Sequence, residues 1–234
     1  MANIVLHTQP RNPFSEKVAG GLRLKGLAFE RVETEDPEER KRLNPQTGML
    51  PVLEIDGARY WDSTPILHKL DELFPEQPLT AEDPKAAAAQ RQLASWSDSS
   101  FAFFWNRWLR ARDAQEPVEP PKGRLAAPRQ GVARVLGRSS PAEKAEREVL
   151  AQIRQRIDDL VGFLGQRPFF HAEQPSLADL SVFGMLRVLR DGPMPGMKSF
   201  IETRPTMVDY MQRMEDLLGG VPEWEPAPAA PPPR

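Results

Sequence analysis

Leu50-Pro51-Val52-Leu53, followed through Asp56-Gly57 by Asp62-Ser63, holds the residues with the most chemistry to offer. A proline at a strand start removes a backbone donor and can adopt the cis bond. With a cis bond before Pro51, the N–H and C=O of Leu50 would turn outward, free to pair with an extended peptide. A helix beginning at Ser63 offers unpaired N–H groups and the positive end of its dipole to a carboxylate. Asp62 beside it is placed to take an ammonium. Together these groups make a cradle for a small zwitterionic peptide. The competing reading is an ordinary hairpin followed by an ordinary capped helix.

The elements that must position this cradle are legible around it. Val52 to Ile55 is a short apolar run with strand character, Asp56-Gly57 is the turn signal of a two-residue hairpin, and Ala58 to Trp61 is the returning strand. Asp62 then reads as a capping residue, with Pro65 in the first turn and Ile66, Leu67, Leu70, Leu73 and Phe74 at helical spacing. Upstream, Asn3 to His7 predicts a first strand, the stretch from Asn12-Pro13-Phe14-Ser15 to Gly26 a helix, and Ala28 to Glu33 a second strand.

The 234 residues suffice for one large or two small domains. A net charge of -2 points to neither nucleic acid nor an anionic membrane. No apolar run approaches a membrane span and no secretory pattern is seen, so a cytoplasmic location is expected. Cysteine is absent, which rules out disulfides, thiolate metal sites and a cysteine nucleophile. His7, His68 and His171 are too scattered for a zinc pattern, so no metal is expected. Proline marks the boundaries. The reading is a first domain over residues 1–78, a linker over 79–84, a helical domain over 85–222 and a Pro-rich disordered tail over 223–234, with an irregular excursion at 115–129.

The second half reads as helices. Residues 85–112 form one long helix or two joined pieces, and 143–166 carry the stripe Leu150, Ile153, Ile157, Leu160, Val161 and Leu164. Residues 177–190 are apolar enough to be central. Residues 197–203 and 205–218 close the set, the last with Met207, Tyr210, Met211, Met214 and Leu217 in register. Ser176-Leu177-Ala178-Asp179 is a capping-box pattern and reads as a folding element.

Asn12-Pro13-Phe14, Asn44-Pro45, the Leu50-Pro51 loop, Asp62-Ser63, Phe169-Phe170-His171, the capping box and Arg204-Pro205 occur in the order and spacing of the soluble glutathione S-transferases. The chain resembles that family nearly throughout, the Pro-rich excursion and the tail excepted. The resemblance implies a thioredoxin-like α/β domain of order β-α-β-α-β-β-α followed by an all-α domain. It implies glutathione as co-substrate, held by Phe14, Leu50, Pro51, Asp62 and Ser63, with a small electrophilic or hydrophobic substrate as second partner and a homodimer as the family habit.

Transfer of glutathione needs a thiolate, and a free thiol of pKa about 8.5 is mostly protonated at neutral pH. The family lowers that pKa with a Tyr or Ser hydroxyl, or uses a Cys instead. Here Asn12 stands at the Ser or Cys position, which excludes chemistry by a protein cysteine. The catalytic candidates are therefore Asn12 and Ser15, with the backbone N–H groups of Phe14 and Ser15. Where some members use a lysine against the glycine carboxylate, Glu35-Asp36-Pro37 is acidic; Arg40 or Lys41 is the nearest substitute. Phe101, Phe104, Trp105 and Trp108 share a helix face and are the candidate acceptor site, or else core. Arg107, Arg110 and Arg112 beside them would meet an anionic substrate, or be solvated or paired with acids. Three functions stay open: a transferase, a non-catalytic glutathione-binding or interaction module, and an isomerase that uses glutathione without consuming it.

Overall fold

The computed structural model describes residues 2–114 and 140–220. The expected excursion at 115–129 and the tail at 223–234 lie outside the described residues. The elements run β1 (Ile4–Thr8), α1 (Pro13–Leu24), β2 (Glu30–Glu33), α2 (Pro37–Leu43), β3 (Val52–Ile55), β4 (Ala58–Trp61) and α3 (Ser63–Leu73). Then follow α4 (Pro84–Asp113), α5 (Pro141–Leu164), α6 (Leu177–Asp191), α7 (Met197–Glu202) and α8 (Pro205–Leu217). This is a thioredoxin-like α/β region followed by helices, in the order expected from the sequence.

The four strands form one mixed sheet of order β2-β1-β3-β4. β1 runs parallel to β2 and antiparallel to β3, and β3 runs antiparallel to β4. The central strands carry the apolar residues: Leu6, Val52 and Leu53 have no exposed surface. β4 is an edge strand and is mostly exposed. In the hairpin between β3 and β4 both turn residues have positive φ, Asp56 at 49° and Gly57 at 84°. That pairing matches the right-handed twist of the strands and explains the choice of Asp-Gly.

Chain segments at the helix starts supply the local logic. Pro13 and Pro37 occupy first-turn positions, where a missing N–H costs nothing, and Asn12 and Asp36 cap the two helices with their side chains. α6 is the central helix, buried from Leu177 through Leu189. Its capping box is formed: the Asp179 carboxylate accepts from the Ser176 N–H at 2.9 Å and the Ser176 hydroxyl accepts from the Ala178 N–H at 3.2 Å. In α8 the register holds for Met207, Tyr210, Met211 and Met214, but Leu217 is exposed and Leu218, just past the helix end, is buried in its place.

The described chain divides into two compact units, one made of residues through Asp98 together with those from Val161 onward, the other Ser99–Leu160. α6 packs along α1 and so joins the sheet to a helix from the far half of the chain. Gly184 makes that approach possible: a Cβ there would sit 2.5 Å from the Pro13 carbonyl oxygen. Among the described residues, no helix is long and apolar enough to cross a membrane.

Candidate glutathione site

Asn12 organises the start of α1. Its side-chain carbonyl accepts from the N–H of Phe14 at 2.9 Å and of Ser15 at 3.1 Å. Its amide Nδ2 donates to the Leu50 carbonyl at 3.4 Å. One side chain thus joins the first helical turn to the proline loop. Two of the expected donors are thereby engaged: the N–H groups of Phe14 and Ser15 already face a neutral oxygen. The amide nitrogen of Asn12 carries two N–H bonds, and only one is directed at Leu50. Ser15 has no exposed surface, and its hydroxyl has no hydrogen-bond partner among the described residues. The Thr8 hydroxyl at the end of β1 is in the same condition.

The peptide bond between Leu50 and Pro51 is cis, as the sequence reading required. Leu50 is buried with Leu43 and Val52. Its carbonyl, expected to be free, accepts from Asn12 at the long end of hydrogen-bond distance, while its N–H has no partner among the described residues.

At the other end of the hairpin, α3 starts at Ser63. Asp62 occupies the cap position, but its side chain makes no capping hydrogen bond, which corrects the capping role read from the sequence. Its backbone sits at φ 67° and ψ 130°, a conformation that side-chain-bearing residues rarely adopt. The Asp62 carboxylate is exposed and, among the described residues, unpaired. Ser63 is buried, and the N–H groups of Ser63 and Thr64 lie at the helix start, where no preceding turn supplies acceptors. A strained acid beside an open helix start is what a zwitterion would meet: an anion for its ammonium, N–H groups for its carboxylate.

Charged residues that sequence reasoning passed over underlie this site. Lys17 on α1 is 1% exposed and donates to the Thr64 hydroxyl at 2.8 Å and to Asp98 at 2.7 Å. Glu16, also buried, pairs with Arg31 at 2.7 Å and with Arg187 of α6. The available signal was spacing: Lys17 shares a helix face with Gly20, Gly21 and Leu24, residues of a packed surface. Arg40 and Lys41, the sequence candidates for the glycine carboxylate, lie on α2 and make no side-chain hydrogen bond or ion pair among the described residues.

The aromatic candidates lie together on α4. Phe101 stacks on Trp105 at 5.4 Å, and Trp105 meets Trp108 at 5.4 Å. Phe101, Phe104 and Trp108 are buried, and the Trp108 indole N–H donates to Glu146 at 3.0 Å. Arg107 donates to Gln152 at 3.0 Å, and Arg112 covers the Trp108 ring at 5.1 Å. This cluster packs as core, with Trp105 alone among the four keeping partial exposure. No group of His, Asp and Glu able to hold a metal occurs among the described residues.

Comparison with known proteins bears on the family and the fold. Residues 13–73 match the glutathione S-transferase N-terminal domain and residues 153–214 the corresponding C-terminal domain. The isoprene-epoxide glutathione S-transferase of Rhodococcus is 28% identical over 87% of this chain and 91% of its own length. FtsZ-localized protein A of Caulobacter vibrioides is 29% identical over 79% of this chain and 76% of its own. Among solved structures, a glutathione S-transferase from Rhodospirillum rubrum superposes with a TM-score of 0.70 at 22% identity, covering 99% of this chain and 96% of that one. Similar structures from Sulfitobacter and Methylobacillus flagellatus contain bound glutathione. With both domain models matched in order, the chain belongs to the glutathione S-transferase superfamily.

Proposed function

We propose that the protein binds glutathione and transfers its thiolate to a small electrophile. The observation that carries this reading is the pairing of an unpartnered Leu50 N–H with the strained, unpaired Asp62 and the open start of α3 at Ser63. The peptide backbone of glutathione pairs with Leu50 beside Pro51. Its γ-glutamyl ammonium meets Asp62, and its carboxylate meets the N–H groups at Ser63. The thiol then lies over the start of α1, near Phe14, where the second N–H of the Asn12 amide donates to sulfur. Such a donor stabilises the thiolate over the thiol and lowers its pKa. Ser15, fully enclosed, supports this turn through its place in the helix, and its hydroxyl is not the donor. A cytoplasmic location and a homodimer accompany this reading as expectations from the family.

A second reading has an observation of its own. Asn12 spends its carbonyl on two helix N–H groups, and the hydroxyl of Ser15 is enclosed. That arrangement suits a glutathione-binding or interaction module without turnover, and one relative is named for localisation with FtsZ. Steady-state turnover of a chlorinated dinitrobenzene with glutathione separates the two. A transferase gives conjugate at a rate that falls at least about tenfold in Asn12→Ala, the loss of one hydrogen bond to a charged group. Glutathione binding without conjugate, unaffected by that substitution, identifies the module. An isomerase is identified on a different substrate, a cis–trans isomerisable electrophile, by product formed with no net loss of glutathione.

A further inference from the structure

We infer that Lys17 and Thr64 form a positioning pair for the carboxylate end of the glutathione site, with Asp98 as the counterion that allows Lys17 to be buried. This rests on the glutathione reading above and deepens it. An ammonium with almost no exposure is costly unless it is paired and hydrogen-bonded. Lys17 meets that condition with two acceptors, the Asp98 carboxylate at 2.7 Å and the Thr64 hydroxyl at 2.8 Å. The choice of Thr64 is informative. It is the second residue of α3, directly after Ser63, and its N–H is one of those open to a carboxylate. The bond from Lys17 therefore fixes the first turn of α3 against α1, the helix whose start carries Asn12. Both ends of the proposed ligand, thiol and carboxylate, are set from the same helix. Asp62, unable to cap α3 with its own side chain, leaves that turn in need of another anchor.

Thr64→Val removes the bond and keeps the shape of the side chain, leaving Lys17 paired with Asp98. Lys17→Met is the harsher variant, since it strands the Asp98 carboxylate. The readout is calorimetric binding of two peptides to the full chain: glutathione, and γ-aminobutyryl-cysteinyl-glycine, which lacks only the α-carboxylate of the γ-glutamyl residue. In the unsubstituted protein, glutathione binds at least about tenfold more tightly than the analogue, the worth of a charge-assisted hydrogen bond. In Thr64→Val that preference shrinks to about threefold or less through weaker glutathione binding, with analogue affinity unchanged. A purely structural role would weaken both peptides alike and leave the ratio intact, which overturns the inference while glutathione binding stands. A failure of the unsubstituted protein to bind glutathione at all overturns the glutathione reading, and this inference with it. Should Lys17→Met not fold, the Thr64→Val ratio still decides.

Discussion

Asn12 carries the most consequential departure from the family pattern. As a side chain it holds two N–H groups of α1 and reaches Leu50, so its removal is felt twice. Asn12→Ala is expected to lower stability by about 1 kcal/mol through the lost cap, read from chemical denaturation. In the same variant the thiol of bound glutathione should titrate at higher pH, followed by thiolate absorbance, if the Asn12 amide is its donor; an unchanged titration would remove Asn12 from that role. Asp62 separates conformation from charge. Asp62→Gly takes the positive φ without penalty and should hold or raise the stability by up to about 1 kcal/mol. Asp62→Asn keeps the side-chain shape and loses only the charge. Both should weaken glutathione by about tenfold, measured calorimetrically, if the carboxylate takes the ammonium. Equal affinity across the three proteins would remove Asp62 from the site. The acid and the serine were visible in the sequence because residue type and a helix start suffice to suggest them. The strained backbone of Asp62 was not, because φ is set by the sheet edge and helix it must connect.

Packing of α6 on α1 links the two halves of the chain, and two positions test it. Gly184→Ala places a Cβ 2.5 Å from a backbone oxygen that cannot rotate away. The helices must separate, and a loss of about 1–3 kcal/mol is expected from overpacking. Urea unfolding measures it, and a neutral substitution would show that the helices are less tightly apposed. The capping box gives a pH-dependent expectation. Burial pushes the Asp179 carboxyl up to about 6, outweighing the donors from Phe170 and Ser176 that hold it down. With the folded pKa above the unfolded value of about 3.9, the native state holds the proton more tightly. This contribution is fully present below about pH 4 and is lost as pH rises through about 6, amounting to about 3 kcal/mol. Stability measured by urea at successive pH values should show that slope in the unsubstituted protein and not in Asp179→Asn. A profile shared by both would assign the slope to other groups. The box itself was legible from four residues because its bonds are local. The burial that shifts Asp179 depends on Phe170 and Tyr210, brought to it by tertiary packing.

For the whole molecule, the order of strands and helices was readable because hydrophobic periodicity, Asp-Gly turn chemistry and proline at helix starts act within a few residues. Contacts between distant segments were not. Lys17 with Asp98, and Glu16 with Arg187, join residues far apart in sequence, and nothing local marks those charges as buried. The same is true of the contact between α1 and α6. The aromatic face of α4 read as core or as the acceptor site that the family resemblance implies, and three of its four rings are buried. The most direct test of the central claim is calorimetric titration of the full chain with glutathione, beside its isomer with an ordinary α-linked glutamate. The cradle of Leu50, Asp62 and Ser63 predicts saturable binding of glutathione only, and at about ten times Kd a gain of about 1.4 kcal/mol in unfolding free energy. Absence of binding at millimolar glutathione, or equal binding of both isomers, would contradict it.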